Sequence, residues 1–547
     1  MTHPRPAHCA VGIALLFGAA AIAQEHEHGA APAEKLGTVH FAVSCGASAQ
    51  PQFDRAVALL HSFEFASAID AFTATVAADP ACAMSQWGIA LSRWGNPFAV
   101  GIRAPAQLTK GRDAIERGRA IGPKTERERA YLDAAAALYA DFEHTSQQSR
   151  ALAYRDAMAA LAAAHKDDTE ASIFYALSLT ASEEPTDKTY ASRLKAGAIL
   201  EPLFAKQPDH PGLAHYIIHG YDVPSLAPKA LEAARRYAGI APSAPHALHM
   251  PSHTFTRVGS WQESVDTNIA SAAAARRDHA TSEELHATDY QMYAYLQMAQ
   301  DGAARRILDS VPGIMARLDP NAVGSAAPPA AGAYAYAAVP ARWTLERGAW
   351  ADAAKLTPHS SALPYADALT YFARALGGAR TGDLAGARSA IDMLQQLRDR
   401  EVQANEHYWA EQIDIQRRGA SAWLALAEGR RADALAEMRA AADAEDRTEK
   451  AAVTPGPIAP ARELLGEMLL QMNEPAQALE AFEATLVREP NRFRTEYGAG
   501  TAAKLSGNDT LARKHYGRLL QICERADDPG RPELSEARTF STSSRAR

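Results

Sequence analysis

The chain predicts an all-α fold, a solenoid of stacked helix-turn-helix repeats, on three observations. From about residue 49 apolar residues recur three and four apart in Ala- and Leu-rich runs broken by Gly, Asn or Asp, and strand signals are almost absent. A template of small, small, aromatic and proline at intervals of 12, 4 and 8 appears at Gly466, Ala478, Phe482 and Pro490, and again far away at Ala56, Ala68, Phe72 and Pro80. Further units register 34 residues apart on Ala196, Ala230 and Ser264, and on Ala353 and Ala387, while Gly500, Ala512 and Tyr516 repeat the last unit at the same offset.

Each position in the template has a physical reason. Small residues let two helices approach, the aromatic four later fills the gap, and proline ends the second helix because it cannot donate to the helical ladder. A single unit cannot bury its own apolar face, so stacking makes the core. The spacing and residue types resemble the tetratricopeptide repeat (TPR) over most of residues 49–525, with insertions. That resemblance implies a right-handed superhelix whose first helices line a concave groove, where a protein, peptide or small ligand would bind.

The elements follow in order. Residues 1–23 read as a secretory signal, with Arg5, an apolar run from Cys9 to Ile22, and Ala21 and Ala23 around a cleavage before Gln24. Residues 24–48 form a His/Glu then Ala/Pro-rich leader expected to be disordered. A first array spans 49–318, a Pro/Gly/Ala-rich interruption 319–340 acts as a hinge or as a loop across the groove, and a second array spans 341–525. The tail 526–547 is expected to be disordered.

Composition excludes several classes. With 56 Lys+Arg against 64 Asp+Glu and no basic run interleaved with aromatics, nucleic acid is not an expected partner. No later stretch holds 18 consecutive apolar residues, so no membrane span is expected, and the signal implies a periplasmic or secreted protein. Cys9 would leave with the signal; Cys45 with Cys82 is the disulfide expected in an oxidising compartment, leaving the state of Cys523 open. No C-x-x-C, G-x-S-x-G, H-E-x-x-H or P-loop motif occurs.

The informative residues are histidines. "HYIIH" holds His215 and His219, "HMPSH" holds His249 and His253, and each pair is displaced from the other by 34 residues. Eight of the 19 histidines fall between His210 and His286, where an even spread would place roughly three. Residues four apart share a helix face, and Pro211 and Pro245 suit first helical positions, so the frame puts both pairs on adjacent first helices as one patch. Pro251 either kinks the second helix or begins it. His286 and Asp289 of the next unit are candidates for further ligands or for a catalytic base. Asp222 is read as an acceptor orienting His219, His210 as a cap, and His61 as a packing residue.

Imidazole-rich, carboxylate-poor donors favour copper or zinc, with iron possible beside Asp289. Beyond the generic repeat, "FDRAVALLHSFEF", "DPACAMSQWGIALS", "HPGLAHYIIHGYD" and "HALHMPSHTFTRVGSWQES" look like a group of exported bacterial TPR proteins, a resemblance that implies export and the repeat fold but supplies no reaction. Three functions remain open: a groove-binding repeat protein with a metal site at His215, His219, His249 and His253; an enzyme using that metal to activate water or dioxygen; and a metal-free peptide-binding scaffold of the cell envelope.

Overall fold

The computed structural model describes residues 34–99, 103–184 and 186–543, and among them every regular element is a helix. The signal-like residues 1–23 and the first part of the leader lie outside the described residues. Consecutive helices pack on one another along the chain, and some also pack on the next but one, as Thr281–Gln297 does on Pro329–Glu346. This is the stacking a solenoid requires. The template's chemistry is visible in its glycines: a Cβ on Gly466 would stand 2.7 Å from the ring of Phe482, and one on Gly500 would stand 2.6 Å from that of Tyr516. Each aromatic occupies the space its glycine leaves free.

The described residues from Lys35 onward form one unit, though its apolar core is divided, with one cluster drawn mainly from Leu36 to Phe255 and another from Tyr334 to Ala502. Three segments differ from expectation. Residues 35–48 are not a free leader: Phe41 is fully buried against Phe53, Trp87 and Tyr131, and the Thr38 amide donates to the Asp209 carbonyl at 2.9 Å. Gly37 makes that approach with φ +84, where a Cβ would lie 2.6 Å from the same carbonyl. Half of the interruption 319–340 is helix, because Pro329 starts Pro329–Glu346 at its first turn and Pro340 is accommodated inside it. The expected tail carries Pro532–Ser543, with Leu534 and Ala537 buried beside Tyr516 and Leu519.

Cys45 and Cys82 are joined in a disulfide, tying the strap before the first helix to the third. Cys523 is a buried free thiol, its pKa pushed up to about 12 by burial. No helix among the described residues is long and apolar enough to cross a membrane.

Two irregular segments cover the histidine-bearing helices. In the first, Gly324 accepts from the Ala66 amide at 2.9 Å, Ala326 accepts from Asn96 Nδ2 at 2.9 Å, and the Ala327 amide donates to Glu283 Oε1 at 2.7 Å. In the second, Lys450 Nζ donates to Asp222 Oδ2 at 3.3 Å, and Lys188 Nζ donates to the Thr448 carbonyl at 2.7 Å. The resemblance implies an open groove at these helices; here the chain's own loops close over it.

Candidate metal centre

The first histidine pair stands on Pro211–Gly220 and the second on two short helices, Pro245–His249 and Pro251–Arg257. Proline occupies the first turn of all three. Met250 between the short helices keeps helical angles, φ −53 and ψ −36, so Pro251 divides the element without taking His249 and His253 off a common face. Both starts weighed from the sequence are therefore present.

The four expected ligands do not make a single four-histidine patch. They divide into two triads, each completed by a histidine from the next histidine-bearing helix: His215 and His219 with His246, and His249 and His253 with His286 on Thr281–Gln297. Within each triad one ring nitrogen per residue lies within 4.8 Å of the others, and all six side chains are buried. An ion about 2.0–2.1 Å from three imidazole nitrogens would hold them roughly 3.5 Å apart, so modest ring movements close either triad.

Hydrogen bonds on the outer nitrogens set the tautomers. Asn268 Nδ2 donates to the Ser264 carbonyl at 2.7 Å, which turns its Oδ1 toward His249 and makes His249 Nδ1 the donor at 2.7 Å. His253 Nδ1 donates to Asp222 Oδ2 at 2.9 Å, and His215 Nδ1 donates to the His61 carbonyl at 2.6 Å. With Nδ1 protonated in each, Nε2 carries a lone pair. His249 Nε2 and His253 Nε2 then face one another at 3.1 Å, two acceptors with no proton between them. Nε2 of His215, Nε2 of His219, both nitrogens of His246 and Nδ1 of His286 are buried without a hydrogen-bond partner. Each such nitrogen costs about 1–3 kcal/mol if nothing satisfies it.

Protonation does not relieve this. Burial pushes the pKa of His215 and of His286 down to about 3, and burial likewise lowers those of His219, His246 and His249, reinforced by neighbouring imidazoles, and that of His253, where Asp222 opposes the shift and Lys450 and Arg257 add to it. At neutral pH the centre is six neutral imidazoles, the form that ligates metal.

Other expected residues are placed differently. Asp289 joins neither triad: Arg342 grips it through Nε at 2.8 Å and Nη2 at 3.3 Å, and both side chains are fully buried. Asp222 orients His253 rather than His219 and also accepts from Arg257 Nε at 2.8 Å. His210 sits at the N-cap position without capping; its Nε2 meets Glu170 at 3.0 Å, as His61 Nε2 does at 2.9 Å, with His61 Nδ1 taking the Tyr216 hydroxyl at 2.9 Å. That third cluster is largely satisfied by its own hydrogen bonds, and its His61 carbonyl supports His215. Sequence reading left out His246 and Asn268 as site residues. The histidine clustering contained His246, and its place three before His249, on the same helix face, was the signal that could have found it.

The second triad also has a hydroxyl, Tyr290 Oη, 3.3 Å from His253 Nε2. A cavity of about 50 Å³ is lined by His219 and His246 from one triad and His253 and His286 from the other. Phe98 closes its near side, stacked on His219 with centroids 3.9 Å apart.

No family model matches the chain, and no curated protein does. Among solved structures the chain is similar to a human IFIT1 dimer with m7Gppp-AAAA, at 12% identity over 80% of this chain and 90% of that one, TM-score 0.38. It is also similar to the APC/C hetero-tetramer Cut9-Hcn1, at 12% identity over 89% of this chain and 90% of that one, TM-score 0.34. What defines the class here is the helix pairing described above: a TPR-like helical-repeat protein with buried histidine triads.

Proposed function

We propose that this is an exported helical-repeat metalloprotein whose buried imidazoles hold a transition metal, copper or zinc before iron. The observation that carries the reading is the pair of Nε2 lone pairs on His249 and His253, 3.1 Å apart, with both outer nitrogens committed as donors. Metal-ligating imidazoles characteristically donate their other N–H to a carboxylate, carbonyl or amide oxygen, which fixes the ring and raises its basicity. Iron is less favoured because Asp289, the carboxylate that would have suited it, is held by Arg342. Export is supported by the signal-like start and by the Cys45–Cys82 bridge, which belongs to an oxidising compartment.

A peptide could reach these histidines only by displacing the segments around Ala326 and Lys450, which weighs against the bare scaffold reading at this place. The test is elemental analysis of untagged, exported protein beside a His249→Ala/His253→Ala variant whose helix content is unchanged by circular dichroism. Stoichiometric metal in the wild type, diminished in the variant, is expected. No metal in either, even after incubation with copper and zinc, overturns the reading.

A further inference from the structure

The two triads stand side by side, and we propose that they form one dinuclear copper centre, one ion in each triad, with a single small molecule of diatomic size held between the ions. This rests on the metal reading above and adds the number of ions, the element and the class of ligand.

The first support is adjacency. His219 and His253 have ring centroids 6.0 Å apart, and His246 and His249 have centroids 6.1 Å apart, so each triad borders the other through two ring pairs. The second is the shared cavity: about 50 Å³, lined by two histidines from each triad. That volume exceeds the roughly 10–15 Å³ that one water requires but is far below that of a drug-sized ligand site. It admits a diatomic molecule or a few waters. The third is access: Asn96, Ala99, Pro328, Ala330, Tyr365 and Trp409 line both this cavity and a cleft of about 560 Å³, and the Tyr365 and Trp409 rings stack with centroids 4.0 Å apart where the two meet.

Charge selects the element. All six donors are neutral imidazoles, and the one carboxylate bonded to them, Asp222, is already matched by Arg257 and Lys450. Glu283 Oε1 accepts from Ser325 and Ala327, and its Oε2, 4.0 Å from His246 Nδ1, is buried without a hydrogen-bond partner. Two divalent ions would bring four positive charges into a buried site where Glu283 is the nearby carboxylate with an unpartnered oxygen, whereas two copper(I) ions bring two. Imidazole is a good ligand for copper, and three nitrogens complete a trigonal copper(I) site with room for one added ligand.

The experiment loads the metal-free full chain with copper(I) under anaerobic conditions against a competing chelator, then counts copper per chain. Two are expected in the wild type, and one in each of His246→Gln and His286→Gln. Carbon monoxide added to the loaded protein is expected to give an infrared carbonyl band. A second sample loaded with copper(II) is expected to give an integrated electron paramagnetic resonance signal well below two independent spins. One copper in the wild type overturns the dinuclear centre while leaving the metal reading standing. No copper overturns both. Two coppers with the full signal of two independent spins overturn the shared ligand. If a glutamine variant fails to fold by circular dichroism, the wild-type count and spin integration still decide.

Discussion

Acid should destabilise the protein through its buried histidines. In the unfolded chain His215 and His286 titrate near the ordinary value of 6.5, and in the folded chain burial lowers both to about 3. A depressed folded pKa means the unfolded state binds protons that the folded state refuses, so this contribution to stability is complete above pH 6.5 and is lost as pH falls toward 3. Between pH 8 and pH 5 each residue removes about 2 kcal/mol, and the pair about 4 kcal/mol, a large part of the 5–15 kcal/mol typical of a folded domain. The comparison is wild type against His215→Gln/His286→Gln, both treated with chelator. Glutamine does not titrate, and at 215 its amide can still donate to the His61 carbonyl that His215 Nδ1 now reaches at 2.6 Å. Urea denaturation followed by circular dichroism at the two pH values measures the loss in each protein. Carboxylates and the other four histidines contribute to both, so the difference isolates the pair. The variant is expected to lose about 4 kcal/mol less than the wild type. Equal losses, within about 1 kcal/mol, would refute the claim that these rings are buried and neutral.

Asn268→Leu removes the acceptor that holds His249 Nδ1–H, and metal affinity measured by chelator competition is expected to fall about 10- to 100-fold; an unchanged affinity would mean His249 is not a ligand. Cys45→Ala/Cys82→Ala opens a loop with a sequence separation of 37, and chemical denaturation is expected to show a loss of about 4 kcal/mol on loop entropy. Gly212→Ala places a Cβ 2.4 Å from His61 Nδ1, so a stability loss of about 1–3 kcal/mol is expected; a neutral result would show that His61 moves freely.

The repeat was legible because its constraint is local: a small residue sixteen positions before an aromatic reads the same wherever the chain repeats it, as Gly466 with Phe482 and Gly500 with Tyr516 do. The histidine pairs were legible for the same reason, since four residues along a helix is a short-range relation. Their partners were not. His246 and His286 meet the pairs across helix–helix contacts, and Asp222 meets His253 rather than His219 because it lies after the end of Pro211–Gly220, facing the next repeat. Asp289 looked like a ligand until Arg342, 53 residues on, was brought to it. The covering loops were harder still. Nothing in "TPGPIAP" foretells that Lys450, a few residues before it, reaches Asp222 from 228 residues away.

The architecture explains why there are two triads and why the series stops. One helix can aim two side chains four residues apart at a common point, so a third donor must come from its neighbour. Pro211–Gly220 supplies a pair and borrows His246; the next helices supply His249 and His253 and borrow His286. A third triad would need a pair on Thr281–Gln297 and a single donor from Pro329–Glu346. Instead Asp289 and Tyr293 stand four apart on Thr281–Gln297: Asp289 takes Arg342 from Pro329–Glu346, and the Tyr293 hydroxyl accepts from Arg492 Nη1 at 2.8 Å. Arg342 and Arg492 are both fully buried and paired with carboxylates, Arg492 with Glu346 and Glu463. The same positions that present lone pairs in two repeats thus present an ion pair and a phenol in the third. A cation is already covalently part of the chain there, and the series of histidine triads ends where the buried arginines begin.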